Sequence, residues 1–104
     1  MPRASRGEVW LVDMGFVAKV RPALVLSVPI EDDERVITTV VPHTTSVRGT
    51  RFEVPSNVRW LKKGVFDAQG VGTYPTVKLT RRLGTLPEET FEKVEAAVRL
   101  WLRL

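Results

Sequence analysis

The sequence predicts a mainly β domain that ends in one helix. Short runs of β-branched and aromatic residues alternate with turn residues as far as residue 86. From Pro87 onward the apolar period becomes helical. A chain of 104 residues without cysteine can bury one core without disulfide support. Because closing short strands removes exposed edges, we expect a single domain over residues 1–104, built as a small β-barrel that the helix plugs or flanks.

The first two strands follow from clear apolar runs. Residues 8–12 are β-formers with a large aromatic side chain, and residues 13–18 form a short loop. Residues 23–26 are a branched apolar run that predicts a buried second strand. Pro22 cannot donate a ladder hydrogen bond, so we expect it at the first position of this strand. Arg21 then directly precedes this buried strand, a position where a charged side chain is held in place and remains accessible to a ligand.

The middle of the chain predicts several shorter strands. Four acids within residues 29–35 indicate a solvated turn, and residues 36–41 carry the best strand pattern of the chain. We expect this strand to end at Pro42, and residues 48–51 to form a turn. Weaker strands are predicted at residues 52–54, 65–68, 71–74 and 83–86, with a turn at 62–64 and an ambiguous stretch at 76–81.

The C-terminal stretch predicts an amphipathic helix. Pro87 suits the first turn of a helix, since its missing N–H has no partner there. The apolar residues recur at helical spacing and form one stripe. The members of this stripe are Phe91, Val94, Val98, Trp101 and Leu102.

Composition excludes several classes of protein. Without cysteine there are no disulfides or thiolate metal sites, and a single histidine disfavours a histidine metal site. No apolar run approaches the roughly 20 residues of a membrane span. The N-terminus has basic residues but no apolar stretch after them, unlike a signal peptide. We therefore expect a cytoplasmic protein.

The charge distribution favours a polyanionic partner. The net charge is +4 and the pI is about 10.0. Residues 1–84 carry 13 basic and 8 acidic side chains, whereas residues 85–104 carry 3 and 4. The basic excess of the body is expected to attract nucleic acid first of all.

Three groups of residues could carry chemistry. Arg21 with Lys19 is the first, and the imidazole and hydroxyl cluster at residues 42–46 is the second. The third is a basic set, made of Arg48, Arg51, Arg59, Lys62 and Lys63. Each has a structural alternative: a surface arginine before a core strand, threonines as plain β-formers, and His43 as a packed histidine rather than a general base. No nucleophile elbow or phosphate-binding glycine loop is present.

Cleavage of a phosphodiester bond is a reaction in which the first two groups would act together. When RNA is cleaved by its own 2′-hydroxyl, protons must move and a dianionic phosphorane must be stabilised. A fixed guanidinium offers paired donors to phosphate oxygens, and a hydroxyl can donate to a non-bridging or leaving oxygen.

Four segments resemble the MazF/PemK toxins of type II toxin–antitoxin systems. They are residues 6–13, 21–27, 41–45 and 52–54. The resemblance is weaker from residue 64 to residue 86 and generic in the helix. It implies a small SH3-like barrel related to the CcdB/Kid barrels. It also implies a homodimer and metal-independent cleavage of single-stranded RNA at short sequences, without a cofactor. A toxin of this kind would have a cognate antitoxin, which we expect to be acidic.

The same resemblance implies the site residues. Arg21 and Thr44 match the family's catalytic arginine and threonine. We hypothesise that Arg21 polarises the scissile phosphate, with a part in proton transfer left open, and that Thr44 donates to the developing charge. His43 is a candidate contributor. The expected RNA-binding residues are Lys19, Thr45, Ser46, Arg48, Arg51 and Gln69.

Two positions depart from the family pattern. The loop at residues 14–20 is short, where many members have a long glycine-rich loop that shapes the RNA groove. Gly70 stands where members often have a glutamine followed by a β-branched residue, with Gln69 just before it.

A second hypothesis comes from another class of protein. CcdB-like gyrase poisons share the barrel and act by binding a protein, so the chain could be a non-catalytic SH3-like module. Trp101 would then be an attractive interface residue. Such a module has no need of the Arg21 and Thr44 pair, which is the feature that separates the two hypotheses.

Overall fold

The structure, a computed structural model, describes residues 3–17 and 19–104. Two predictions fall partly outside the described residues. The N-terminal stretch compared with a signal peptide includes Met1 and Pro2, and the predicted loop at residues 13–18 includes Ala18. The strands are β1 (Glu8–Asp13), β2 (Val20–Val25), β3 (Ile37–Thr44), β4 (Glu53–Ser56), β5 (Gly64–Asp67), β6 (Gly72–Pro75) and β7 (Leu79–Thr85), and one helix follows, α1 (Glu88–Leu102).

The strands form one antiparallel sheet with β3 at its centre. The order is β4-β5-β3-β2-β1-β7, and β6 also pairs with β3. Val40 of β3 lies opposite Val25 on one side and opposite Gly72 on the other. In the described residues this order runs from β4 to β7 without joining its ends, so the mainly β fold with a C-terminal helix is confirmed, while a closed barrel stays a prediction.

Strand β3 does not end at Pro42, contrary to expectation. It continues to Thr44, where His43 and Thr44 pair with Phe66 and Val65 of β5. Thr39 O accepts hydrogen bonds from the β2 side, so by alternation the nitrogen of Pro42 faces the other side. There the pairing with β6 ends at Val40 and the pairing with β5 begins at His43. The missing N–H of Pro42 therefore falls in a gap between two partner strands.

Pro22 is likewise inside its strand rather than at its first position. Strand β2 begins at Val20, and Pro22 lies opposite Leu11 of β1. On the other side of β2 the pairing with β3 begins only at Ala23. The first half of β2 is thus an edge toward β3, which is where a strand tolerates proline.

Local patterns located the remaining strands but missed some of their ends. Strand β7 starts at Leu79, four residues before the predicted start, and the ambiguous stretch contains a short 3₁₀ turn at Thr76–Lys78. Pro87 is the N-cap residue that precedes α1 and does not belong to its first turn. Most side chains of β7 are exposed or only partly buried, so its sequence lacks the alternation of apolar and polar residues from which a strand is predicted. The first residues of β7 were missed for this reason.

Helix α1 covers one of two buried clusters. Val94 and Val98 pack in the cluster that contains Leu24, Val41 and Phe66 of the sheet. A second cluster, on residues such as Trp10, Val25 and Leu79, lies apart from the helix. The predicted stripe is only partly buried, since Trp101 is 43% exposed and contacts Phe52 edge-on at 5.3 Å between ring centroids. The described residues contain no helix of the length and apolarity that crossing a membrane requires.

Candidate active site

Strands β2 and β3 bring Arg21 and Thr44 together. Ala23 pairs with Pro42 in their antiparallel register, so two steps further along each strand Arg21 is level with Thr44. The buried residues Ala23 and Val41 fix both strands in the core. Arg21 is exposed and Thr44 is half-buried, so the pair stands where a rigid sheet meets solvent.

Both residues line a cleft with a volume of about 320 Å³. Among the described residues that line it, Arg21 and Lys62 carry positive charge and none carries a carboxylate. A concave surface with charge of one sign raises the local concentration of an oppositely charged ligand. The described residues of the lining are Arg21, Pro22, His43, Thr44, Thr45, Trp60, Leu61, Lys62 and Leu83.

The hydroxyl of Thr44 is oriented by the chain that follows it. Thr44 Oγ1 accepts a hydrogen bond from the backbone N–H of Ser46 at 3.0 Å. A hydroxyl that accepts one bond in this way still has its own hydrogen to donate. Thr44 can therefore act as a donor to an anion in the cleft, and Ser46 contributes through its backbone.

His43 is packed rather than open. Its side chain is 3% exposed, and its ring meets Phe66 edge-on at 5.1 Å between centroids. Its Nε2 is buried and makes no hydrogen bond with the described residues. Burial lowers the pKa of the His43 imidazole, because desolvation disfavours the charged form. The ring is thus held neutral beneath the cleft.

Gly64 makes room for the end of β3. A Cβ built at Gly64 would lie 2.3 Å from Thr44 O and 2.9 Å from His43 Cε1. No side chain fits at these distances, so β5 can approach Thr44 and His43 only through a glycine. The position of Thr44 in the cleft depends on this approach.

The Glu53 carboxylate, which lies outside the cleft lining, organises the predicted basic turn at residues 48–51. Glu53 Oε1 accepts hydrogen bonds from the backbone N–H groups of Arg48, Gly49 and Thr50, at 3.1, 2.7 and 3.3 Å. Desolvation alone would raise the pKa of the Glu53 carboxyl, but these three donors outweigh it and hold the pKa below its usual value. Arg51 lies over the Phe52 ring, with 4.7 Å from its Cζ to the centroid.

Four of the nine predicted site residues line the cleft, and five do not. Arg21, His43, Thr44 and Thr45 are brought together. Lys19 lies in the β1–β2 loop, where its backbone has a left-handed φ of 59° and its N–H donates to Gly15 O at 2.7 Å. The other residues outside the lining are Ser46, Arg48, Arg51 and Gln69.

The departure at Gly70 has a packing reason. A Cβ at Gly70 would lie 2.7 Å from Cγ of Pro42, so the turn after β5 packs its backbone directly on the proline that precedes His43. Gln69 is exposed beside it, and its N–H donates to Asp67 Oδ1 at 3.0 Å. The glycine is therefore needed for contact with β3, whatever the role of Gln69.

The sequence prediction missed Trp60 and Leu61 as members of the cleft. Both belong to the loop between β4 and β5, which lies far from Arg21 in the chain. A usable signal was present, since Trp60 stands among Arg59, Lys62 and Lys63, and aromatic residues among cations are typical of nucleic-acid surfaces.

A second groove, of about 490 Å³, contains none of the predicted site residues. It lies between residues 3–5, residues 27–38 and Thr76. Although it is larger, its described lining lacks the arginine and threonine pair, so the cleft at Arg21 is the better candidate for phosphate chemistry.

Comparison with solved structures finds the same fold in bacterial toxins. The Mycobacterium tuberculosis toxin MazF-mt6 is 27% identical, with a TM-score of 0.79 over 93% of this chain and 97% of its own. An endoribonuclease in complex with its cognate antitoxin, from a mycobacterial species, is 24% identical with a TM-score of 0.84 over 97% and 96%. MazF from Deinococcus radiodurans is 22% identical with a TM-score of 0.83 over the full length of both chains.

The sequence comparison agrees with the structural one. A family model described as the PemK-like, MazF-like toxin of type II toxin–antitoxin systems matches residues 5–102, which is nearly the whole chain. The resemblance predicted from the sequence is therefore confirmed, and this chain belongs to the PemK-like, MazF-like toxin family of type II toxin–antitoxin systems.

Proposed function

We propose that this chain is the toxin of a type II system and acts as an endoribonuclease that cuts single-stranded RNA at short sequences without a metal ion. The observation that carries the proposal is the cleft at the ends of β2 and β3, which combines Arg21, the Thr44 hydroxyl and a lining free of carboxylates among its described residues. Family membership and the mycobacterial endoribonuclease of the same fold support it.

The proposed reaction is transesterification at phosphorus. The 2′-oxygen of the substrate forms a bond to phosphorus as it loses its proton, and the bond from phosphorus to the 5′-oxygen breaks as that oxygen gains one. Negative charge builds on the non-bridging oxygens between these events. The enzyme therefore has to hold the phosphate, stabilise this charge and help a proton reach the leaving oxygen.

Arg21 and Thr44 divide these tasks. The guanidinium of Arg21 binds two phosphate oxygens at once through its planar fork of N–H donors. The Thr44 hydroxyl, held through its oxygen by Ser46 N–H, donates to the developing charge or to the leaving oxygen. His43 supports Thr44 from below as a neutral packed ring, and Thr45 completes the lining.

The residues outside the cleft serve to hold RNA beyond the scissile phosphate. Lys19, Arg48 and Arg51 would contact flanking phosphates, which add affinity but little sequence information. Ser46 and Gln69 would contribute polar contacts along the same path. The cytoplasm, where the substrate is found, is the proposed location.

The proposed partners follow from the family. A toxin of this kind is controlled by an antitoxin, and the mycobacterial endoribonuclease of the same fold was solved with its cognate one. We expect the antitoxin of this chain to be acidic because the body is basic. A homodimer, and closure of the sheet into an SH3-like barrel, are further parts of the proposal.

Incubation of the purified protein with a long unstructured RNA in EDTA tests the function. The expected result is a set of discrete fragments whose 5′ ends map to one short sequence. The non-catalytic alternative, a gyrase-binding module, is not favoured by the family match. It would leave the RNA intact and arrest DNA supercoiling by gyrase, and that outcome would refute the proposal.

A further inference from the structure

The loop between β4 and β5 forms a rigid part of the cleft wall. Val58 and Leu61 pack against the buried cluster under α1. Leu61 N–H donates to Val58 O at 3.4 Å, which closes a turn between the two anchors. Val58 and Leu61 thus anchor the loop on either side of Trp60, and Lys62 follows directly after Leu61. Trp60 and Lys62 both line the cleft.

Trp60 is held from one side by β7. A Cβ at Gly84 would lie 2.6, 2.8 and 2.9 Å from Cε2, Cζ2 and Cδ2 of the indole. The ring can approach the strand this closely only because residue 84 is a glycine. With 37% of its surface still exposed and the cleft beside it, Trp60 is both fixed and accessible.

A fixed, accessible indole beside a phosphate site suits a nucleobase. Single-stranded RNA leaves its bases free to stack on aromatic side chains, and a platform that is already in place loses little entropy on binding. His43 is the other aromatic ring in the described lining, but it is 3% exposed and lies under the surface. Trp60 is therefore the ring of the lining that can meet a base.

We propose that Trp60 is a stacking platform for the base adjacent to the scissile phosphate, and that Lys62 binds the phosphate next to that base. The proposal rests on the proposed endoribonuclease function and adds a binding subsite to it. Stacking depends little on which base is bound, so this subsite positions the RNA strand more than it selects the RNA sequence. Gly84 acts as a positioning residue, since it sets where the indole stands.

Tryptophan fluorescence tests the stacking directly. The probe is an RNA that spans the cleavage site mapped with the unaltered protein, with a 2′-deoxy sugar at that site to prevent cleavage. In Trp101→Phe, which keeps Trp60, we expect quenching by the probe as in the unaltered protein. In Trp60→Phe, which keeps Trp10 and Trp101, we expect the quenching to disappear. Equal quenching in both variants overturns the proposal.

Cleavage kinetics supply a second, independent readout. Trp60→Ala is expected to raise KM about tenfold or more with a smaller change in kcat, because stacking acts on binding. Trp60→Phe keeps an aromatic face and should stay within a few-fold, and Gly84→Ala should resemble Trp60→Ala by displacing the indole. An unchanged KM in folded Trp60→Ala overturns this inference alone, whereas RNA left intact by the unaltered protein refutes the function on which it rests.

Discussion

Thr44 and Arg21 differ in what a conservative change can preserve. The Thr44 hydroxyl accepts from Ser46 N–H and still has its own hydrogen, so any hydroxyl at this position can fill the donor role proposed for Thr44. The role proposed for Arg21 is paired donation from a planar fork, which depends on shape as well as charge. We therefore expect a conservative substitution to preserve most of the activity at Thr44 and to remove most of it at Arg21.

Thr44→Ala is expected to lower the rate of RNA cleavage on the order of 10²-fold, by comparison with the loss of one oxyanion donor in other enzymes. Thr44→Ser keeps the hydroxyl and should retain most of the activity. Initial rates on a single RNA, with circular dichroism to confirm folding, measure the difference. Near-normal cleavage by folded Thr44→Ala would remove Thr44 from the mechanism.

Arg21→Lys should be nearly as damaging to cleavage as Arg21→Ala, because a point charge does not reproduce bidentate contact with phosphate. The matched control is Arg35→Lys, which makes the same change on an exposed residue of the acidic turn. Rates are measured on the same RNA. If Arg21→Lys kept most of the activity, charge alone would be sufficient and the paired geometry would be unnecessary.

At the scale of elements, the site depends on how closely strands and turns approach one another. Local patterns predicted β1, β2, β3 and α1, because each carries enough buried apolar residues to impose a period. The same patterns made Arg21 and the cluster at residues 42–46 candidates, and the family resemblance selected Arg21 and Thr44 as the predicted catalytic pair. They could not predict that β3 runs past Pro42 or that Trp60 reaches the cleft. The extension of β3 depends on where its pairing with β6 ends and its pairing with β5 begins, and the position of Trp60 depends on its contact with Gly84. Both features involve contacts between distant parts of the chain.

Gly64→Ala tests the closest approach in the site. The added Cβ would meet Thr44 O at 2.3 Å, so backbone must move, and we expect a loss of about 1–3 kcal/mol in the free energy of unfolding together with reduced cleavage. Gly72→Ala is the control in the same sheet, since its Cβ would meet the Tyr74 ring at an ordinary 3.4 Å. Urea unfolding measures both. Equal stability of the two variants would contradict the packing argument.

The turn that Glu53 organises predicts a pH dependence. Because the carboxyl has a lowered pKa, its stabilisation of the turn is fully present above the unfolded value of about 4.3 and is lost as the pH falls through the lower folded pKa. The protection of the Arg48, Gly49 and Thr50 amides, measured as exchange relative to their intrinsic rates, should therefore fall only at pH values below the unfolded pKa of about 4.3. In Glu53→Gln this acid-dependent step should vanish. Its persistence in Glu53→Gln would assign the step to another group.

At the scale of the whole molecule, charge and shape together determine what can bind. The body of residues 1–84 is basic, while the segment that contains α1 has slightly more acidic than basic residues. The cleft adds two cations and a fixed indole to a surface that is otherwise of mixed charge. RNA and an acidic protein segment meet these same requirements, so substrate and inhibitor are expected to compete.

The antitoxin should therefore bind as an RNA mimic. A segment that occupies the cleft has to be extended and acidic, and it needs an apolar anchor that can replace a base on Trp60. Such charged segments, poor in apolar residues, are usually disordered when free and become ordered on binding. Electrostatic steering would make its association fast, and added salt would slow it.

A competition titration distinguishes a shared surface from separate ones. We expect the antitoxin to displace the non-cleavable RNA analogue completely. Lys62→Glu should weaken both ligands, whereas Arg35→Glu, the same charge change in the acidic turn, should weaken neither to a comparable extent. Anisotropy of labelled RNA measures displacement. If both ligands bound at once, each with unaltered affinity, the antitoxin would have to neutralise the toxin from another surface, and the charge of the cleft would serve RNA alone.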